Sequence, residues 1–164
     1  MTYTIRTATL ADAPRITEFN ALMAKETEHL ELDLNRLRAG VEEVLRDPAK
    51  GVYYVAEANG TVVGQTLITY EWSDWRNGMF WWIQSVYVQK EFRGQGVFKA
   101  LFDHVRTLAL RDKTVCGLRL YVEKHNIRAQ QTYERLGMKK THYEMFEMDF
   151  VLQEPSPTHR EASP

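Results

Sequence analysis

The residues best suited to chemistry lie between Val88 and Lys99, where Phe92-Arg93-Gly94-Gln95-Gly96-Val97-Phe98-Lys99 joins a β-rich run to a helical one. At a helix start the backbone N–H groups have no partners inside the helix, and the aligned peptide dipoles favour negative charge. Two glycines remove the side chains that would hold a phosphate away. The dinucleotide fingerprint fails because Gly94-Gln-Gly96-Val-Phe-Lys99 has no third glycine. The nucleoside-triphosphate loop fails because Lys99 is followed by Ala100 instead of Ser or Thr. Taken alone, the segment reads equally well as an ordinary glycine turn ahead of a helix.

A second constellation follows downstream. Asn126, Ala129 and Tyr133 stand at intervals of three and four, so a helix presents all three on one face, and Gly137 suits its end. Such a face can wall a ligand site; the plainer reading makes Asn126 a helix N-cap and Tyr133 a half-buried core aromatic. Trp72, Trp75, Phe80, Trp81 and Trp82 form an aromatic cluster. Alternation sends Trp81 and Trp82 to opposite sheet faces, leaving one to line a pocket or to bury itself at a homodimer interface. Stacking on nucleic acid is the poorest use for it without surrounding basic residues. Cys116 has no evident His partner and reads as structural, as do the scattered histidines.

These residues need a frame to hold them. Tyr3, Ile5 and Thr7 alternate with polar neighbours as a first strand. Thr9 and Asp12 are plausible N-caps for a helix carrying Ile16, Phe19, Leu22 and Met23 to about Glu28. A second helix spans Asp33 to Arg46, ended by Asp47-Pro48. Val52–Ala58 and Thr61–Tyr70 read as a hairpin turned by Asn59-Gly60. Trp72 to Gly78 reads as a second turn, followed by a strand from Met79 to Val88. A helix then runs from Gly96 to about Arg111, a strand from Leu118 to Val122, a short helix from Asn126 to Leu136, and a last strand from Met138 to Phe150.

Composition narrows the class. With 164 residues, 44% apolar and 26% charged, the chain is sized for one domain, 1–152, followed by a Pro/Ser-rich tail, 153–164, whose sequence predicts disorder. Lys plus Arg number 21 against 22 Asp plus Glu, and neither sign is blocked together, so nucleic acid is not the expected partner. One cysteine precludes an internal disulfide and leaves no Cys/His cluster with zinc spacing, so no metal is expected. No run approaches the ~20 apolar residues of a membrane span. The expectation is a soluble, unprocessed cytoplasmic protein.

The order of elements and the two motifs together resemble the GNAT family of N-acetyltransferases over about residues 3 to 150. The carriers are the loop pattern Arg/Gln-x-x-Gly-x-Gly/Ala, here Arg93-Gly94-Gln95-Gly96-Val97-Phe98, and Asn-x-x-Ala-x-x-x-Tyr-x-x-x-Gly, here Asn126, Ala129, Tyr133 and Gly137. Phe98 departs from the family's small residue. Its backbone N–H survives, and its ring is expected to turn away into packing.

The resemblance implies an α/β (α+β) fold with a mixed, largely antiparallel six- to seven-stranded sheet and about four helices. It further implies acetyl-CoA as donor, with acetyl passing directly to a primary amine of a small molecule or peptide. The pyrophosphate is expected at Arg93–Phe98, and the pantetheine arm at the strand edge Val86, Tyr87 and Val88, where a backbone N–H would polarise the thioester carbonyl. Asn126 is expected to bond that arm, Ala129 to leave it room, and Tyr133 to protonate the departing thiolate. For the amine side, Glu26, Glu28 and His29 at the first helix end and Glu71 and Asp74 near the aromatic hairpin are candidates, Glu28 and Glu71 foremost; a solvated helix end is the plain alternative. The rival readings are a non-catalytic acyl-CoA-binding or sensing domain and an acyltransferase for a longer acyl group.

Overall fold

The computed structural model describes residues 2–152; the tail, and with it the expectation of disorder there, lies outside the described residues. The chain divides into two units, Met1–Tyr121 and Val122–Pro164. The first is built on a five-stranded sheet in sequence order: β1 (Thr4–Thr7), β2 (Val52–Ala58), β3 (Thr61–Ser73), β4 (Gly78–Val88) and β5 (Val115–Arg119). The first four strands are antiparallel and β5 runs parallel to β4.

Turn chemistry sets the register of the first hairpin. Asn59 and Gly60 take φ values of 50° and 76°, the left-handed pair a two-residue turn between right-twisted strands demands. Helices α1 (Ala13–Glu28) and α2 (Leu34–Arg46) cover one sheet face, where Ala13, Ile16 and Val41 close on Tyr53, Val55 and Leu67. Asp33 caps α2 by accepting the Arg36 N–H at 2.9 Å. Asp12 instead turns to Arg6 and to the Thr9 N–H, at 2.8 and 2.7 Å.

Helix α3 (Val97–Arg111) covers the other face with Val97, Leu101, Phe102 and Val105 buried, and the Tyr54 ring meets His104 edge-on. Alternation along β2 divides the two layers: Tyr53 looks toward α1 and Tyr54 toward α3. Burying one such aliphatic side chain contributes about 1.5–3 kcal/mol, so both layers are held mainly by apolar area.

The second unit contains α4 (Ile127–Arg135). Asn126 caps it by accepting the Ala129 N–H at 3.1 Å, and Gly137 leaves it at φ 91°, as the spacing predicts. Two strand expectations need correction. The expected strand Leu118–Val122 is β5, Val115–Arg119, shifted toward the N-terminus because Gly117 lets the backbone lie against the Phe80 ring of β4. Residues 138–150 carry no assigned strand, and Phe146 and Phe150 are 92% and 84% exposed. Strand preference expresses packing against a paired neighbour, and among the described residues this segment has none. Among the described residues the sheet therefore has five strands, not six or seven.

Candidate active site

The site is assembled where β4 stops behaving like an ordinary strand. Its first half, Met79 to Trp82, pairs with β3 on one edge and β5 on the other. From Ile83 to Val88 only the β3 edge is paired among the described residues. In this half β4 carries one extra residue: Gln84 faces Leu67 and Tyr87 faces Gln65, so Ser85 and Val86 together oppose Thr66. Ser85 sits at φ 48°, a left-handed conformation that costs a non-glycine residue on the order of 1 kcal/mol. Beyond the bulge the Gln89 N–H bonds Val63 O. The two-residue alternation of the ladder therefore turns Val86 and Val88 toward the open edge and Tyr87 toward β3.

The Tyr87 side chain packs beneath α1. Its ring lies 4.9 Å from that of Phe19 and its hydroxyl donates to Glu26 at 3.2 Å. Burial, followed by the Glu26 charge, pushes the Tyr87 phenol above its ordinary value.

The expected anion loop follows. Gly94 and Gly96 have φ of 76° and 86°, and a Cβ added to either meets nothing within 4 Å, so the loop is open on its outer side. Gly96 occupies the N-cap of α3 and brings no side chain to its first N–H groups. Val97 is buried and seats the helix through Gly64 of β3, where a Cβ would stand 2.7 Å from Val97 Cγ1. The Phe98 ring packs 6.1 Å from that of Phe102, one turn along α3, as expected for a side chain turned to packing.

The Arg93 side chain is already engaged. Its Nε donates to Val88 O at 2.8 Å and its Nη2 to Glu26 Oε2 at 2.7 Å, tying the loop to the end of α1. Burial works against the Glu26 carboxylate, but Arg93, Tyr87 and Lys90 outweigh it and leave the group below its ordinary value. Glu26, Tyr87 and Lys90 also line a cleft with Arg15, Phe19 and Leu22.

The two leading acids lie apart from this cluster in character. Glu28 is the exposed last residue of α1. Glu71 accepts from the Trp82 indole at 2.6 Å and from Arg119 of β5 at 3.1 Å. Trp81 and Trp82 are both half-buried on opposite faces, and Phe80 takes the fully buried place. In the second unit, Tyr133 and Ala129 are half-buried on α4 and burial holds the Tyr133 phenol above its ordinary value.

Sequence reasoning passed over Asn20, Gln65 and Tyr53. All three are buried beneath the bulge: Gln65 Nε2 donates to Asn20 Oδ1 at 2.7 Å and to Ser85 O at 3.2 Å, and Asn20 Nδ2 donates to the Tyr53 hydroxyl at 3.0 Å. Their signal was an amide at an inward position of the run Val62 to Ile68 and another on the apolar stripe Ile16, Phe19, Met23.

Comparison with known proteins accounts for this assembly. The model of the acetyltransferase (GNAT) family matches residues 14–138. A crystal structure of a possible acetyltransferase from Clostridium difficile 630 is 47% identical, with a TM-score of 0.85 over 93% of this chain and 100% of that one. A Clostridium acetobutylicum predicted acetyltransferase, solved with acetyl-CoA, shares the fold at 17% identity, with a TM-score of 0.72 over 90% of this chain and 96% of that one. Thialysine N-epsilon-acetyltransferase of Bos taurus is 38% identical over 76 residues, 46% of this chain and 44% of that protein, so the match spans under half of that relative's length. By the family match over most of its length, the chain is a member of the acetyltransferase (GNAT) family.

Proposed function

We propose that the protein is an N-acetyltransferase that takes acetyl from acetyl-CoA and transfers it directly to a primary amine. One observation carries the reading: two left-handed glycines at the uncapped start of α3 lie next to a half-strand whose outer edge is open. The open loop suits a pyrophosphate, and the outward-turned peptide groups of Val86 and Val88, the Val88 carbonyl already accepting from Arg93, suit the amides of a pantetheine arm. The Arg93 guanidinium braces this loop through Val88 O and Glu26, while the backbone of Gly94 to Phe98 supplies the donors.

Acetyl-CoA supplies the activated acyl group. The amine nitrogen bonds the acetyl carbon as the carbon–sulfur bond breaks, the nitrogen loses a proton to solvent, and the thiolate must gain one. Tyr133 fits the second proton transfer, because a phenol held above its ordinary value keeps its proton at neutral pH. On the amine side, Glu28 and Glu71 offer charge for an ammonium group, and the acceptor is a small molecule or a peptide amine. Similarity to the Bos taurus thialysine N-epsilon-acetyltransferase favours a small amine as the first class to try.

The test is thiol release from acetyl-CoA with small amines, amino acids, polyamines, aminoglycosides and peptide N-termini in turn. Turnover with one class supports the reading; saturable binding without turnover on any would make the chain a sensing domain. Tyr133→Phe is expected to keep acetyl-CoA affinity and lower kcat on the order of a hundredfold. An unchanged kcat removes Tyr133 as the acid.

A further inference from the structure

The bulge at Ser85 is held from below by a buried chain of hydrogen bonds. Gln65 Nε2 reaches both Asn20 Oδ1 and the Ser85 carbonyl, and Asn20 Nδ2 reaches the Tyr53 hydroxyl. The chain of bonds thus runs from Tyr53 through Asn20 and Gln65 to the one non-glycine residue of β4 with positive φ.

Gln65 is fully buried, and its Oε1 has no partner among the described residues. A leucine there would fill the space without stranding an oxygen. What the glutamine adds is a donor aimed at Ser85 O, and the three side chains come from separate elements, α1, β2 and β3. A buried polar chain with directed hydrogen bonds specifies one geometry where apolar packing tolerates several.

We infer that Asn20, Gln65 and Tyr53 are positioning residues for acyl transfer: they lock Ser85 in its left-handed conformation and so fix the direction of the Val86 N–H at the open edge. The inference rests on the acetyl-CoA reading above. An N–H polarises a carbonyl only when it is aimed before the reaction begins, so loosening these bonds lowers turnover without touching the cofactor's phosphates. The three residues touch neither substrate nor the reacting atoms.

The test measures three quantities on the full chain carrying Gln65→Leu or Tyr53→Phe: affinity for CoA, kcat, and the infrared carbonyl stretch of bound acetyl-CoA labelled at the acetyl carbon. Gln65→Leu keeps the volume and is expected to hold CoA affinity within twofold, lower kcat at least tenfold and return the carbonyl stretch toward its value in free acetyl-CoA. Tyr53→Phe, which removes only a hydroxyl, is expected to lower kcat at least threefold with the same spectral direction, and carries the test if Gln65→Leu fails to fold. Folded variants with unchanged kcat and an unchanged stretch overturn the positioning role while leaving the acetyl-CoA reading intact. A wild-type protein that does not bind acetyl-CoA overturns both.

Discussion

The two halves of β4 are built to different rules. From Met79 to Trp82 the strand is paired on both edges, and Gly117 is bare so that β5 can lie against the Phe80 ring. From Ile83 to Val88 one edge is open, one residue is extra, and the residue at the break takes a left-handed conformation propped by buried amides. The first half gains ladder hydrogen bonds on both edges and aromatic packing; the second keeps them on the β3 edge alone among the described residues and turns the Val86 and Val88 peptide groups outward beside the loop. In this molecule, stability and binding capacity are drawn from successive residues of one strand.

Four substitutions test that division, taken from the largest expected effect to the smallest. Gly96→Glu places a side chain where φ is 86° and a negative charge at the uncapped start of α3. Its expected cost is on the order of a hundredfold in CoA affinity, or about 2.8 kcal/mol, read by calorimetry. Tight binding by that variant would detach the loop from the cofactor. Gly117→Val acts on the paired half, where a new Cβ stands 2.6 Å from Phe80 Cε1. Destabilisation by about 2 kcal/mol in urea unfolding is expected, with CoA affinity of the folded protein unchanged. A matching loss of affinity would show the halves to be one unit.

Asp12→Asn is the control far from either half. Arg6 holds the Asp12 carboxyl below its ordinary 3.8, with burial opposing and the Thr9 N–H assisting. A group with a depressed folded value stabilises above its unfolded value, and that contribution is withdrawn as pH falls through the folded one. The wild type should therefore lose stability below pH 3.8, and the variant should lose about 1.5 kcal/mol at neutral pH and show a flatter acid limb. Turnover on a fixed substrate should not move. Arg93→Gln removes the brace to Val88 O and Glu26 and is expected to weaken CoA about threefold, roughly 0.7 kcal/mol. A loss of thirtyfold or more would mean that the guanidinium touches the phosphates itself.

The same contrast explains what the sequence discloses. Asn59-Gly60, the α4 cap at Asn126 and the α3 helix are legible because each is a local rule met by the residues that carry it. The loop and the α4 face are legible because their spacing repeats a family pattern. Residues 138–150 mislead because strand preference is a claim about a neighbour, and the alternation is present without one. The bulge is invisible for the opposite reason: Ser85 carries no sign of positive φ, and the groups that impose it are 20, 65 and 32 positions away in β3, α1 and β2. Two amides at apolar positions, Asn20 and Gln65, are the available clues, and they indicate a hidden network without saying what the network holds.

Gly64 carries the longest reach of any small residue here. It has ordinary strand φ, so nothing in its own backbone forbids alanine, yet a methyl group there would strike Val97 Cγ1 at 2.7 Å and Tyr87 O at 3.2 Å. In a saturation scan scored by turnover, position 64 should tolerate almost nothing and pass for a ligand contact. Its intolerance would be that of a socket: the first turn of α3 can be no lower than the side chain beneath it, and the height of that turn sets where the loop meets its anion.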